Sequence, residues 1–573
     1  MSIVSLPESP DAFAQATWPD IAPYYDELAA RPLDQENVDS WLRDWSALDE
    51  LVYEASARAG VAYTTDTTDP AKEAAQLRFA TEIEPQLEAQ QVRLASRLLD
   101  LGYERPDLLT TIRRFRNARD LFREENIPLT AEEEKLSAAY NKVTGGLTVD
   151  WDGEEKTVPQ LSPFLLDPDR AVRERAFRLR ARPYLEHRDE LADIFDQQYA
   201  VRQQMAHNAG FANYRDYAHQ EKNRFDYTPT DCERFHAAVE ETVVPAIEQR
   251  LARRRALMGL DTLRPWDGST DPSYPSPDPL GRPPLHPFGD VAELIAHGRA
   301  IFPQVDPALG GYFAQMADEG LLDLDSRKGK APGGYCTGFE RSHRPFIFMN
   351  AVGVPDDVTT LLHESGHAFH AFEVFQLPLL FQRDPGSEMD EVASMAMELL
   401  AAPYLLREQG GYYTPDDDRR YQIDHLEGIL VLLAHIASID AFQQWIYTDP
   451  AGADRDARDA AWLRIRDRFQ HGVDWSGLEP ERIARWYQQL HLFLYPFYYI
   501  EYGIAQLGAL QVWRNALRDQ AGAVAAYRRA LALGATEPLP RLFETAGARF
   551  AFDSGTMGEL VKLIEEQLAA LEA

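Results

Sequence analysis

The chain has 573 residues, 45% of them hydrophobic and 11% aromatic, so it can bury a large core and intrinsic disorder is excluded. Its 92 acidic and 58 basic side chains leave a formal net charge of −34, which argues against nucleic acid or an anionic membrane as a partner. Two cysteines, Cys232 and Cys336, cannot staple a chain this long and fit a reducing compartment. The stretch MSIVSLPESPDAFAQATWPD lacks the basic and apolar regions of a secretory signal. No apolar run, LEGILVLLAHIASI included, reaches the roughly 18 residues of a bilayer span, so a cytoplasmic protein with no membrane partner is expected.

In chain order, the first period is helical. Trp41, Trp45, Leu48 and Val52 form one apolar stripe between Asp34 and about Gly60, and Phe79, Ile83, Leu87, Leu94 and Leu98 form a second, which Pro85 should kink or interrupt. The polar TTDTTDPAK joins them into a helical hairpin. Leu108 to Lys142 is again helical, with a break at Pro128. GGLTVDWDGEEKTVPQL then alternates about Asp152-Gly153, which predicts a β-hairpin near 146–160. Helices resume from Asp169 to Leu260 and stop at LRPWDGSTDPSYPSPDPLGRPPLHPFG, whose prolines predict a long surface connection. RPFIFMN, 344–350, reads as a short strand, and the chain from Asp356 onward as mostly helical. The fold class expected is mainly α with small β elements.

DDVTTLLHESGHAFHAFE carries the chemistry. His363 and His367 lie four residues apart, about 400° of helical turn, so both imidazoles leave one face as two ligands of a tetrahedral Zn²⁺ should. Glu364 flanks them and can accept a proton from a metal-activated water. Pro355, Asp356 and Asp357 read as helix-start residues. A third ligand is needed. His370 lies two turns from His363, about 10 Å by rise, too far for one ion, and is assigned either a structural role or one in support of the ligands. In GSEMDEVASMAMELL, Ser387 and Asp390 have capping-box spacing, which puts Glu391 in a first helical turn. There it could ligate the metal or merely complement the helix dipole.

HESGHAFH (363–370), EVAS-x-x-x-E (391–398) and HLFLYPFYYIEYGIAQLGAL (491–510) together resemble the oligoendopeptidase F and thimet oligopeptidase family of zinc metallopeptidases, the oligoendopeptidase F branch most closely. The resemblance implies that Glu391 is the third zinc ligand and that Glu398 orients a zinc histidine. It implies that His491 and Tyr502 hydrogen-bond the developing oxyanion and that Tyr499 contacts substrate, although a shift of one residue exchanges Tyr499 for Tyr498. It also implies that Phe346, Phe348 and Asn350 lie on an edge strand that pairs with the peptide backbone. The implied architecture is a two-lobed helical zincin-type peptidase with a deep substrate channel, cut here at about residue 215 into 1–215, a helical lobe with the β-hairpin, and 216–573, the catalytic lobe, with lobes discontinuous in sequence as the alternative.

The function expected is a zinc endopeptidase, one Zn²⁺ per chain, acting on short unfolded peptides, with Glu364 as general base. A related carboxypeptidase or dipeptidyl carboxypeptidase is the nearest alternative, and a non-catalytic peptide-binding scaffold a distant one.

Overall fold

The apolar stripes form helices where their spacing demands, and a computed structural model, which describes residues 5–268 and 270–573, shows how those helices group. The chain divides into two compact units that alternate along the sequence. The first comprises Met1–Asp120, Leu285–Arg419 and Gly508–Phe550; the second comprises Leu121–Pro284, Arg420–Leu507 and Ala551–Ala573. This differs from a single cut at residue 215. Two long helices, Pro415–Thr448 and Tyr499–Ala516, each give residues to both units, so no one boundary can divide the chain.

In the first unit, Trp41, Trp45, Leu48 and Val52 of the helix Val38–Thr65 are at most 2% exposed. They pack with Ile21, Tyr25, Phe79, Leu87 and Leu98 into one core. The segment is interrupted next to Pro85, by a change of helix type and not by a break in the chain of turns. Pro70–Arg78 passes into a π-helical turn, Phe79–Ile83, and then into Glu84–Asp100, with Pro85 in the opening turn. The wider turn accommodates the missing N–H.

The second unit holds the β-hairpin, strands β1 (Thr148–Trp151) and β2 (Glu154–Thr157). Its turn places Asp152 at φ 59° and Gly153 at φ 87°, both left-handed, as a tight two-residue hairpin requires. Trp151 packs beside Phe177, Trp266 and Tyr274. Trp266 and Tyr274 come from the proline-rich connection, which has no helix or strand among its described residues but is no loose surface loop: Asp267 and Asp271 are at most 1% exposed. Asp267 accepts from Arg170 at 2.7 Å and Arg173 at 3.0 Å, so buried charge pins the segment down.

Pro415–Thr448 is long and apolar enough to cross a membrane, contrary to the reading of LEGILVLLAHIASI as too short, yet 72% of its most apolar window is buried within the molecule. Its polar groups are used internally. Asp440 pairs with His236 at 2.8 Å, and Gln443 accepts from the Phe497 N–H. That is the pattern of a core helix.

A three-stranded sheet in the first unit backs the helix that carries the two histidines. Strands β3 (Leu322–Asp325), β4 (Tyr335–Phe339) and β5 (Arg344–Ala351) stand in the order β3-β5-β4. Phe339, Phe346 and Phe348 pack with Ala57 and Val61 of the helix Val38–Thr65. The histidine-bearing helix, Pro355–Val374, also packs against β4 and β5. Asp357 ties that helix to the end of β5 by accepting the N–H groups of Val352, Gly353 and Val354 at 2.8–2.9 Å. One carboxylate thereby satisfies three donors at a helix start.

The helix Pro355–Val374 is crossed by Ser387–Ala401. At the crossing, a Cβ on Gly366 would lie 2.4 Å from the Ala393 carbonyl oxygen and 2.6 Å from the Ser394 Cα. Both are backbone atoms, so only glycine permits this separation. Gly366→Ala should therefore push the helices apart at a cost of about 1–3 kcal/mol. A lowered Tm together with reduced metal content in the purified variant is the expected outcome; unchanged values of both would refute the crossing argument.

Candidate metal centre

Two helices bring three Lewis bases together. His363 and His367 lie one turn apart on Pro355–Val374, with ring centroids 5.0 Å apart and planes at 82°. Glu391 is the fifth residue of Ser387–Ala401, just past its first turn. Its Oε2 lies 3.4 Å from His363 Nε2 and 3.7 Å from His367 Nε2. One ligand atom from each of the three lies within 4.8 Å of the other two, the one such grouping of histidine, cysteine and carboxylate side chains among the described residues.

The surrounding groups aim these atoms. Glu398 Oε1 lies 2.8 Å from His363 Nδ1 and holds a proton there, so that Nε2, which faces Glu391 and His367, is the nitrogen a cation would claim in place of a proton. Ser394 Oγ donates to Glu391 Oε2 at 2.9 Å. Burial disfavours charge on His363, but Glu391 and Glu398 raise its pKa well above the ordinary histidine value. Burial lowers His367 to about 4, so that ring stays neutral with a lone pair to give. Burial also opposes ionisation of Glu391, yet the two imidazoles hold it below the usual glutamate value. The site thus attracts positive charge and offers two nitrogens and one oxygen, a donor set that suits Zn²⁺ with a position left open.

Glu364 points to the sheet side. It is 7% exposed, and burial pushes its pKa up to about 7. Its carboxylate accepts from the backbone N–H of Cys336 in β4. Burial outweighs the nearby His363 and leaves it a carboxylate that can exchange a proton near neutral pH.

Two sequence expectations change. The strand β5 is not an edge: β3 and β4 flank it, so Phe346 (7% exposed) and Phe348 (0%) belong to the core, and Asn350 donates to the carbonyls of Ala331 and Gly333 instead of facing a peptide. The edge beside Glu364 belongs to β4. The helix Ser387–Ala401 begins from Gly386, at φ 110°, without the Ser387–Asp390 capping box; Asp390 pairs instead with His370 Nδ1 at 3.0 Å. That pair ties the two ligand helices together one residue from Glu391. Ser394 lies within the EVAS motif, but nothing in the sequence marks its role, because its partner is known only once the helix is placed.

His491, Tyr499 and Tyr502 lie in the second unit. His491 sits on the short helix Leu490–Leu494, and both tyrosines sit on Tyr499–Ala516. The His491 ring is edge-on to Tyr499 at 4.7 Å, with Tyr498 at 6.1 Å and Tyr502 at 6.5 Å. The turn between the helices is fixed by Phe497, a buried non-glycine residue at φ 63°. Gln443 holds its N–H and Arg224 its carbonyl, and Arg224 also pairs with Glu501 at 2.6 Å. Burial, with help from Lys222, lowers His491 to about 4, so the ring is a neutral donor at working pH.

The model of peptidase family M3 matches residues 164–296 and 308–560. Oligopeptidase PepF of Bacillus subtilis (strain 168) is 24% identical over 270 residues, 46% of this chain and 39% of that relative's length. The solved structure of PZ peptidase A with an inhibitor has TM-score 0.85 and 27% identity, covering 99% of both chains. Oligoendopeptidase F of Enterococcus faecium has TM-score 0.61 and 15% identity, covering 98% of this chain and 99% of its own, and shows the shared fold alone.

Loss of the Glu398 carboxylate should loosen His363 without removing a ligand. Glu398→Gln is expected to weaken metal binding by about 10- to 100-fold, as losing a partner of a ligating histidine does. Competition with a chelating dye measures this, and an affinity equal to the parent's would remove Glu398 from the site.

Proposed function

Since the chain belongs to peptidase family M3, we propose that it is a zinc-dependent endopeptidase of short unfolded peptides. His363, His367 and Glu391 hold the metal in this reading, and Glu364 is the general base. The convergence of those three ligand atoms beside a buried carboxylate carries the proposal. Zinc bound there would supply Lewis acidity and a lowered water pKa.

The chain's own groups supply the proton traffic. Glu364, with a pKa of about 7, takes the proton of the attacking water on its carboxylate and returns it to the leaving amine nitrogen. His491 and Tyr502 are proposed as donors to the carbonyl oxygen as it gains charge, a contribution of about 3 kcal/mol per donor. Tyr499 is proposed as a substrate contact. The outer edge of β4 is proposed to pair with an extended peptide, since a strand edge offers unpaired N–H and C=O groups.

Glu364→Gln should retain metal and lose turnover. Parent kcat/KM should rise with pH through an acid limb at or below about 7, because the base must be ionised to accept a proton. Full activity of the variant would eliminate Glu364 as the base.

Endopeptidase action on unfolded chains predicts cleavage of a quenched short peptide blocked at its C-terminus and no cleavage of a stably folded protein. Release of only terminal residues or dipeptides, with the blocked peptide left intact, would favour the carboxypeptidase reading.

A further inference from the structure

Gln489 lies where the helix Glu479–Tyr487 ends and Leu490–Leu494 begins, and it is 4% exposed. Its Nε2 donates to Tyr499 Oη at 2.6 Å and lies 3.3 Å from His491 Nδ1. Its Oε1 faces Arg485 Nη2 at 3.4 Å. A guanidinium offers only donors, so the amide oxygen must face Arg485 and the amide nitrogen must face the phenol and the imidazole.

Arg485 cannot swing away. Asp271 accepts from its Nε at 2.8 Å and its Nη2 at 3.1 Å, and Ser273 Oγ takes a further bond at 2.5 Å. Arg466 also reaches Asp271, at 3.2 Å, while donating to His435 Nδ1 at 3.1 Å. All four charged or aromatic members, Asp271, Arg466, Arg485 and His435, are at most 5% exposed. The aspartate comes from the proline-rich connection, so that segment fixes the amide through one arginine.

The consequence is stereochemical. The two hydrogens of the Gln489 amide are directed at Tyr499 Oη and His491 Nδ1. A nitrogen that accepts a hydrogen bond carries no proton, so the neutral His491 ring must carry its proton on Nε2. We propose that Gln489 is a positioning residue that holds His491 in its Nε2–H tautomer and turns the Tyr499 hydroxyl hydrogen away from itself. This deepens the reading of His491 as an oxyanion donor and rests on it. An imidazole in the other tautomer would offer a lone pair to a developing negative charge. The polarity of one amide thus decides whether the ring attracts or repels the transition state.

The test uses the full-length, metal-loaded protein labelled with 15N-histidine, with the His491 resonances assigned by their loss in His491→Ala. The parent is expected to show protonated Nε2 and bare Nδ1. Gln489→Leu should give a mixture of tautomers. Gln489→Glu, which can only accept, should place a proton on Nδ1. Kinetically, Gln489→Leu should lower kcat by about 10- to 100-fold, short of the 100- to 1,000-fold loss of an oxyanion donor, with KM changed little. In a His491→Ala background the same substitution should lower kcat by under about twofold, because its effect on kcat passes through the ring, while what passes through Tyr499 remains as a change in KM. A parent His491 with its proton on Nδ1, or a tautomer unmoved by both Gln489 variants, overturns the proposal. The parent spectrum requires no variant at Gln489, so misfolding cannot mask the answer. Full activity of His491→Ala would instead sink the oxyanion role while leaving the tautomer assignment to be judged by the spectrum.

Discussion

The close passage of the helix Ser387–Ala401 over Gly366 fixes everything else in the metal centre. Ligands from a single helix can supply two imidazoles at most, since a third position two turns away lies about 10 Å from the first. The remaining ligand must arrive on another backbone, and it can approach only as near as that backbone does. Gly366 removes the Cβ that would meet the Ala393 carbonyl. Other contacts hold the crossing from outside: His370 to Asp390, and the Tyr527 hydroxyl to the Ala393 oxygen at 2.7 Å. The result is a carboxylate and two imidazoles aimed at one point, an arrangement whose mutual repulsion of lone pairs is relieved by a shared positive charge.

The same helix carries the base, and here the sheet matters more than the ligands. Glu364 turns to β4, where burial raises its pKa and first His363, then the Cys336 N–H, limit the rise. A carboxylate beside the imidazoles alone would be held ionised and weakly basic. By lying against a strand instead, it can be both acceptor and donor. The strand is held in place by a helix from the first hundred residues, through Ala57 and Val61 against Phe339 and Phe346. That segment contributes no chemical group, yet it backs the sheet beside which the base sits.

Legibility in the sequence tracks the range of each interaction. The i, i+4 histidines, the Asp152-Gly153 hairpin and the Asp357 helix start were legible because their partners lie within a few residues. Glu391 was legible as an acid near a helix start, but with the helix beginning from Gly386 it falls just past the first turn, and its placement beside the imidazoles needed a second helix. Strand order was not legible. RPFIFMN looks the same at an edge or in the middle of a sheet, and its second neighbour, LDLD, carries two acids that hide a strand. Asp390 misled for the same reason: its spacing from Ser387 suits a local cap, while its real partner, His370, is twenty residues away. Composition likewise suggests a surface connection over 263–289, because nothing local reveals that its aspartates meet distant arginines.

Those aspartates explain why so much charge is buried in the second unit. Taking Asp271 and two guanidiniums out of water costs several kcal/mol per ion, and a packed apolar cluster would serve stability as well or better. What apolar groups cannot do is impose polarity. Burial opposes the charge of Asp271, but Arg485, His435 and Arg466 hold its pKa far below the carboxylate range. A permanently ionised aspartate keeps Arg485 in one orientation, and a donor-only guanidinium keeps its neighbouring amide in one orientation in turn. The strained Phe497 turn works alongside it by setting where the His491 and Tyr499 rings meet. Backbone strain fixes position and buried charge fixes hydrogen-bond direction, and a neutral imidazole requires both before it can act as a donor of defined sense.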